Sequence, residues 1–167
     1  MDLSNKIKQK AVSLGFDLVG ITDASAIDRK DAQMLKNWLD SSHNGQMHYM
    51  ARNFEKRFDP SKLLKNAKSV IATALNFKPP EYKKSKRDNR PAGKIANYAQ
   101  FEDYHKFIKD RLHQLAEYAN DIAQTDARYK ICVDSVPLAE RSIAARAGLG
   151  FIAKNHMLTN PKLGSQL

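Results

Sequence analysis

The feature that most limits the folds open to this chain is the abrupt change of character at residue 78. Residues 69–77 read SVIATALNF, and residues 78–94 read KPPEYKKSKRDNRPAGK. The first run is apolar on both faces, which predicts a strand covered on both sides and therefore central in a sheet. The second holds seven basic residues, two acidic ones and three prolines, with no position suited to a core. It predicts an exposed loop of net charge +5, half of the +10 carried by the whole chain. A layered fold with a well-covered strand next to a strongly charged loop is the frame into which the other segments must fit.

Those segments alternate in type. Leu3, Ile7, Ala11 and Leu14 fall on one face of a helix over residues 2–14, with Asp2 or Ser4 as its cap and Gly15 as its end. Residues 17–22 (DLVGIT) read as a strand. Residues 31–41 read as a second amphipathic helix, with Met34, Leu35, Trp38 and Leu39 turned inward and Gly45 closing the segment. Residues 45–64 mix methionine and aromatic residues with arginine and lysine. They suit either a short helix and loop on the core or a rim around a ligand. The longest helix is expected over residues 104–123, with Ile108, Leu112, Leu115, Ala119 and Ile122 as its buried stripe. A strand follows at residues 129–133 (YKICV). A helix is then expected from Pro137 to about Ala147, because proline is tolerated in a first turn. Gly148 and Gly150 break it. There is no internal repeat. The order helix, strand, helix, strand, helix, strand, helix predicts one α+β layered domain with a mixed or antiparallel central sheet flanked by helices. No strand-to-helix turn carries a Gly-x-Gly-x-x-Gly phosphate loop, so a parallel dinucleotide-binding sheet is disfavoured.

Composition narrows the partners. Twenty-eight basic residues stand against eighteen acidic ones, and half of the excess lies in one loop. Such clustering points to an anionic partner, with nucleic acid foremost, over a surface that is merely solubilised by lysine. The single cysteine, Cys132, cannot form an internal disulfide or hold a zinc ion or an iron–sulfur cluster by itself, and no metal site is expected in these residues. No signal-peptide core and no run of about 18 apolar residues is present, so a soluble, cytoplasmic protein is expected.

The candidate chemistry centres on Asp134, placed at the end of the expected strand and before a helix. Such positions open into clefts, where a desolvated carboxyl group retains its proton and serves as a general acid. A helix cap, or a pair with Arg141, is the alternative reading of the same residue. His105 lies beside Asp103 and Tyr104, but sequence neighbours on a helix point to different faces. Lys154 and Asn155 follow the glycine break, where backbone donors in a turn can hold an anion or a polar ligand edge.

Taken together, GFDLVGIT (15–22), GQMHYM (45–50), RFDPSKLLKNAKSVIATALNF (57–77), IANYAQFEDYHK (95–106), VDSVPLAERSIAARAGLGFIAKN (133–155) and the closing GS (164–165) run in an order and spacing that resembles the epoxyqueuosine reductase family. The likeness is to that family's N-terminal, cobalamin-binding region, and it covers essentially the whole chain. The resemblance implies a nitroreductase-like cobalamin-binding domain over residues 1–167. It also implies reduction of epoxyqueuosine to queuosine at the wobble position of tRNA. Cobalamin would be the reducing centre, fed by two 4Fe–4S clusters. Asp134 would give a proton to the epoxide oxygen beside the cofactor. Arg57 would meet the corrinoid, and Asn97, Lys154, Asn155 and Leu158 would line its pocket. Lys83, Lys84, Lys86 and Arg87 would approach tRNA phosphates.

Two departures from the family pattern stand out. Ala153 occupies a position that is glycine in many members. The Cys-rich cluster motifs are also absent, so the two clusters belong to a ferredoxin-like part missing from this chain. These residues alone are then expected to be inactive, to need an external electron donor and to be monomeric. A non-catalytic RNA-binding module, or a corrinoid-dependent reductase acting on another substrate, are the competing functions.

Overall fold

The computed structural model of the protein describes residues 2–78, 93 and 95–167; the expected basic loop with Lys83, Lys84, Lys86 and Arg87 lies outside the described residues. The first helix, α1 (Leu3–Ser13), buries Ile7 and Ala11. It stops in a Schellman arrangement. Gly15 adopts φ +94°, the Gly15 N–H donates to Val12 O, and the Phe16 N–H donates to Ala11 O. That reversal drives Phe16, 2 % exposed, back into the core beneath the helix it has just ended.

Strand β1 (Leu18–Asp23) follows and pairs antiparallel with β2 (Ser69–Ala74), Leu18 opposite Ala74 and Asp23 opposite Ser69. The period of two along each strand divides the side chains between two cores. Val19, Ile21 and Ile71 pack with Ile7, Ala11, Phe16 and Leu115 under α1 and α4 (Tyr104–Ala123). Leu18, Ala72 and Ala74 pack on the other face with Ala144, Leu149 and Leu158. Two helices, a sheet and a second helical layer are thus stacked. The fold is α+β with antiparallel pairing, as expected.

Gly20 shows how tightly the second interface is drawn. A Cβ there would lie 2.2 Å from Ala147 O, at the end of α5 (Glu140–Arg146), so the strand backbone itself forms part of the packing surface. A small hairpin, β3 (Phe151–Ile152) with β4 (Leu158–Thr159), completes that layer. Gly150 opens it at a point where a Cβ would meet Thr159 O at 2.3 Å.

Several expectations are corrected. β2 is covered on both faces but is not central, because among the described residues its sheet has only two strands. Residues 129–133 do not form a strand. Their apolar positions, Ile131 and Val133, face inward singly, and no described strand lies beside them to accept a ladder. The last helix begins at Glu140 rather than Pro137, since residues 133–140 are taken up by consecutive tight turns. The second helix, α2 (Arg29–Asp40), forms with Asp28 as its cap but buries none of its residues, and Met34 is 61 % exposed. Residues 45–64 make 3-10 turns at His48–Met50 and Pro60–Lys62 around a short α3 (Phe54–Phe58). No helix among the described residues is long and apolar enough to cross a membrane.

Candidate active site

The site grows from the N-terminus of α4. Asp103 caps this helix, accepting from the His105 N–H at 2.9 Å and meeting His105 Nδ1 at 2.8 Å. These bonds from His105 hold the Asp103 carboxyl below its usual range. Tyr104 opens the helix with its ring stacked on His105, centroids 4.4 Å apart and planes 21° from parallel. Its hydroxyl donates to Asp134 Oδ2. The bond to Asp134, helped by burial and by the charge of that carboxylate, pushes the Tyr104 hydroxyl up to about 12. Ionisation would set a phenolate against a carboxylate, so Tyr104 stays a donor throughout the physiological range. The Asp103–Tyr104–His105 group is therefore a connected network. The expectation that these neighbours diverge fails because Asp103 is the cap and lies outside the helical repeat.

Asp134 stands on a surface loop in the left-handed region, at φ +51°. Aspartate enters that region more readily than most residues with a Cβ, and local contacts hold it there. Val133, 7 % exposed, anchors the chain on one side. The Leu138 N–H bonds to Val136 O at 2.8 Å, and the Ala139 N–H bonds to Arg57 O at 2.8 Å. The Asp134 N–H itself donates to Glu140 Oε1 at 3.1 Å. Both alternative readings of Asp134 are thereby displaced. The residue at the α5 cap position is Ala139, and Arg141 turns away to donate to His156 O and to Met157 Sδ.

Glu140 was not singled out from the sequence. It is half-buried, and burial first, then the charge of Asp134, pushes its carboxyl up to about 7, with the bond from the Asp134 N–H acting in the opposite sense. The nearby Cys132 thiol is raised by burial and by Glu140. The available signal was a lone glutamate within the apolar run 136–145 (VPLAERSIAA), where a carboxylate needs a local reason to be retained.

The remaining candidates divide. Arg57, on α3, touches the Asp134 loop through its carbonyl. Its Nη2 donates to Tyr49 O at 3.3 Å, while its buried Nε has no partner among the described residues. Lys154 and Asn155 lie on the exposed turn between β3 and β4, and Asn155 Oδ1 accepts from the Met157 N–H at 3.1 Å. Arg141 fastens this turn to α5, the helix that also carries Glu140. Asn97 is half-buried in the 3-10 turn Asn97–Gln100, where Gln100 Nε2 reaches its Oδ1 at 3.4 Å. Leu158 requires a correction: its side chain is 8 % exposed and packed with Ala144 and Leu149, so only its backbone remains to face a ligand.

The family model described as epoxyqueuosine reductase QueG, DUF1730, matches residues 57–135, a span holding Arg57, Tyr104 and Asp134. An epoxyqueuosine reductase of Cyclobacterium marinum is 41 % identical over 160 residues, covering 95 % of this chain and 50 % of that protein. The epoxyqueuosine reductase of Streptococcus thermophilus superposes with a TM-score of 0.85 at 28 % identity, over 99 % of this chain and 44 % of that one. An epoxyqueuosine reductase with an epoxyqueuosine-modified tRNA-Tyr stem loop gives 0.77 at 32 %, over 98 % and 43 %. A Bacillus subtilis epoxyqueuosine reductase whose catalytic aspartate loop is swung out of the active site gives 0.74 at 29 %, over 98 % and 42 %. The chain spans about half the length of the curated relatives it matches. Over that shared half, the chain is similar in sequence and in fold to epoxyqueuosine reductases.

Proposed function

We propose that this chain supplies the acid and the cofactor cradle for reduction of epoxyqueuosine to queuosine in tRNA, with Asp134 as proton donor to the epoxide oxygen. The observation that carries this reading is the way Asp134 is held. An exposed aspartate in the left-handed region has its Oδ2 fixed by Tyr104 and its backbone N–H fixed by Glu140. With Oδ2 engaged, Oδ1 is the oxygen left to carry a proton outward. As the C–O bond of the epoxide breaks, charge builds on the leaving oxygen, and a positioned carboxylic acid neutralises it. A relative holding an epoxyqueuosine-modified tRNA stem loop, and another named for its mobile catalytic aspartate loop, support the substrate and the role.

Cobalamin fits the residues present. The buried Arg57 Nε, without a partner among the described residues, is a donor that an amide-fringed ligand could satisfy. Phe151, Ile152 and Met157, exposed on the hairpin around Lys154 and Asn155, offer apolar cover for a large ligand. Arg57, Asn97, Lys154, Asn155 and the backbone at Leu158 would hold it beside Asp134. When bound, cobalamin supplies the reducing centre. The 167 residues contain one cysteine, so thiolates for 4Fe–4S clusters must come from elsewhere. Lys83, Lys84, Lys86 and Arg87 would meet tRNA phosphates.

The test is the absorbance spectrum of cobalamin mixed with this chain. A shift to the base-off corrinoid form, weakened by Arg57→Ala, supports the reading. An unchanged spectrum contradicts it.

A further inference from the structure

Among the described residues two side chains hold Asp134, and one of them, the Tyr104 hydroxyl, touches its carboxylate. The other is Glu140, six residues on, whose Oε1 accepts the Asp134 N–H. Within the loop, the Ser135 N–H donates to Val133 O at 2.5 Å across Asp134, a local bond that bends the backbone there, while the Leu138 N–H to Val136 O and Glu140 N–H to Leu138 O bonds hold residues 136–140. The bond from Ala139 to Arg57 O fastens the far end of the loop. Glu140 is thus the side chain that closes the loop back onto its own start. It does so from the first turn of α5, whose Ile143 and Ala144 are buried, so its own position is rigid.

We propose that Glu140 is a positioning residue for Asp134: its carboxylate, closing on the Asp134 N–H, keeps the left-handed turn in which the Asp134 carboxyl meets Tyr104. This rests on the proposed acid role of Asp134 and adds the residue that sets its placement. The contact is between a backbone donor and an ionised acceptor, the stronger class of hydrogen bond. Protonation of Glu140 converts it to the weaker neutral class. The groups around Glu140 are Asp134 across the bond, Cys132 and, through Cys132, Lys130 on the preceding segment, while Arg141 on its own helix is engaged with His156 O. Behind Asp134 stand Tyr104 and, stacked on it, His105 with Asp103. Burial and the Asp134 charge bring the Glu140 titration to about 7, so the strength of the latch changes in the range where it can be followed.

The experiment is carbon-detected NMR on this chain between pH 5.5 and 8.5, following the Glu140 carboxyl carbon and the Asp134 backbone nitrogen together. The expected result is a shared step with its midpoint near the value at which Glu140 titrates. In Glu140→Gln, which keeps an acceptor oxygen and the side-chain shape, the Asp134 step disappears. In Glu140→Ala, exchange of the Asp134 amide with solvent rises about tenfold or more, the effect of losing a bond to a charged acceptor. A flat Asp134 nitrogen in the parent chain overturns the proposal, and so does a step that survives in Glu140→Gln, which would assign the titration to another group. Because these signals need no turnover, they stand or fall separately from the acid role of Asp134. A latch seen by NMR together with full turnover by a complete reductase carrying Asp134→Asn would reject the acid role and leave the latch standing, whereas a flat Asp134 nitrogen would reject the latch whatever the turnover.

Discussion

The hydroxyl of Tyr104, the first residue of α4, donates to Oδ2 of Asp134, thirty residues later in the chain. A helix start and an irregular loop thus share one hydrogen bond at the centre of the candidate site. Removing it tests whether orientation of the acid matters. Tyr104→Phe keeps the stack on His105 and deletes only the donor. In a complete reductase carrying this sequence, epoxide reduction is expected to fall about tenfold, as a neutral donor to a charged group is lost, with cobalamin binding unchanged. Single-turnover rates and the corrinoid spectrum, measured on one preparation, check both halves.

The same bond can be observed from the tyrosine. Its hydroxyl is pushed up to about 12, first by the hydrogen bond it gives Asp134, then by burial and by the charge of that carboxylate. Asp134→Asn removes that charge, so the Tyr104 titration is expected to move down toward the ordinary 10. Carbon NMR of the tyrosine ring at its hydroxyl-bearing position reads this directly, with the other five tyrosines as internal references.

Glu140 links the site to stability. Its carboxyl titrates at about 7 when folded and near 4.5 ordinarily. The folded state therefore holds the proton more tightly. The resulting stabilisation is complete below 4.5, declines as pH rises through 7, and is gone above that. One pKa unit is worth about 1.4 kcal/mol, which caps the effect at about 3 kcal/mol. Urea unfolding at pH 5 and pH 8 should show the parent chain losing stability relative to Glu140→Gln by an amount up to that limit. The lowered carboxyls of Asp23 and Asp103 act in the opposite sense but at more acidic pH, outside this window.

How legible was this in the sequence? The bounds of α4 follow from its apolar stripe, and Leu115, at the middle of that stripe, is 2 % exposed. The Schellman end of α1 follows from Gly15. Residues 129–133 alternate as a strand should, yet strand formation needs a neighbour, and no local pattern reports whether one exists. The meeting of Tyr104 with Asp134 is likewise a product of how α4 and the 133–140 loop are packed, and spacing along the chain carries no trace of it. Asp134 was singled out by its place after an expected strand that does not form, and given its role by motif resemblance, whereas Glu140 appeared only when its neighbours were known. The Leu158 side chain is turned to the core by alternation in β4, so its backbone is the part left to face a ligand.

The basic segment offers an independent check of the tRNA reading. Replacing Lys83, Lys84, Lys86 and Arg87 with uncharged residues should weaken tRNA binding and flatten its salt dependence. Four lost phosphate contacts correspond to a change of about 3 in the slope of log affinity against log salt. The corrinoid spectrum should not move. Unchanged affinity and slope would leave the segment with no role in tRNA binding.

The central claim is that Asp134 delivers the proton. Its most direct measurement is single-turnover epoxide reduction by a complete reductase carrying Asp134→Asn, with cobalamin loading verified by spectrum beforehand. The expected result is full cofactor binding and a rate lowered about 10²–10⁴-fold, the usual contribution of a general acid. Turnover at the parent rate with cobalamin in place would contradict the account.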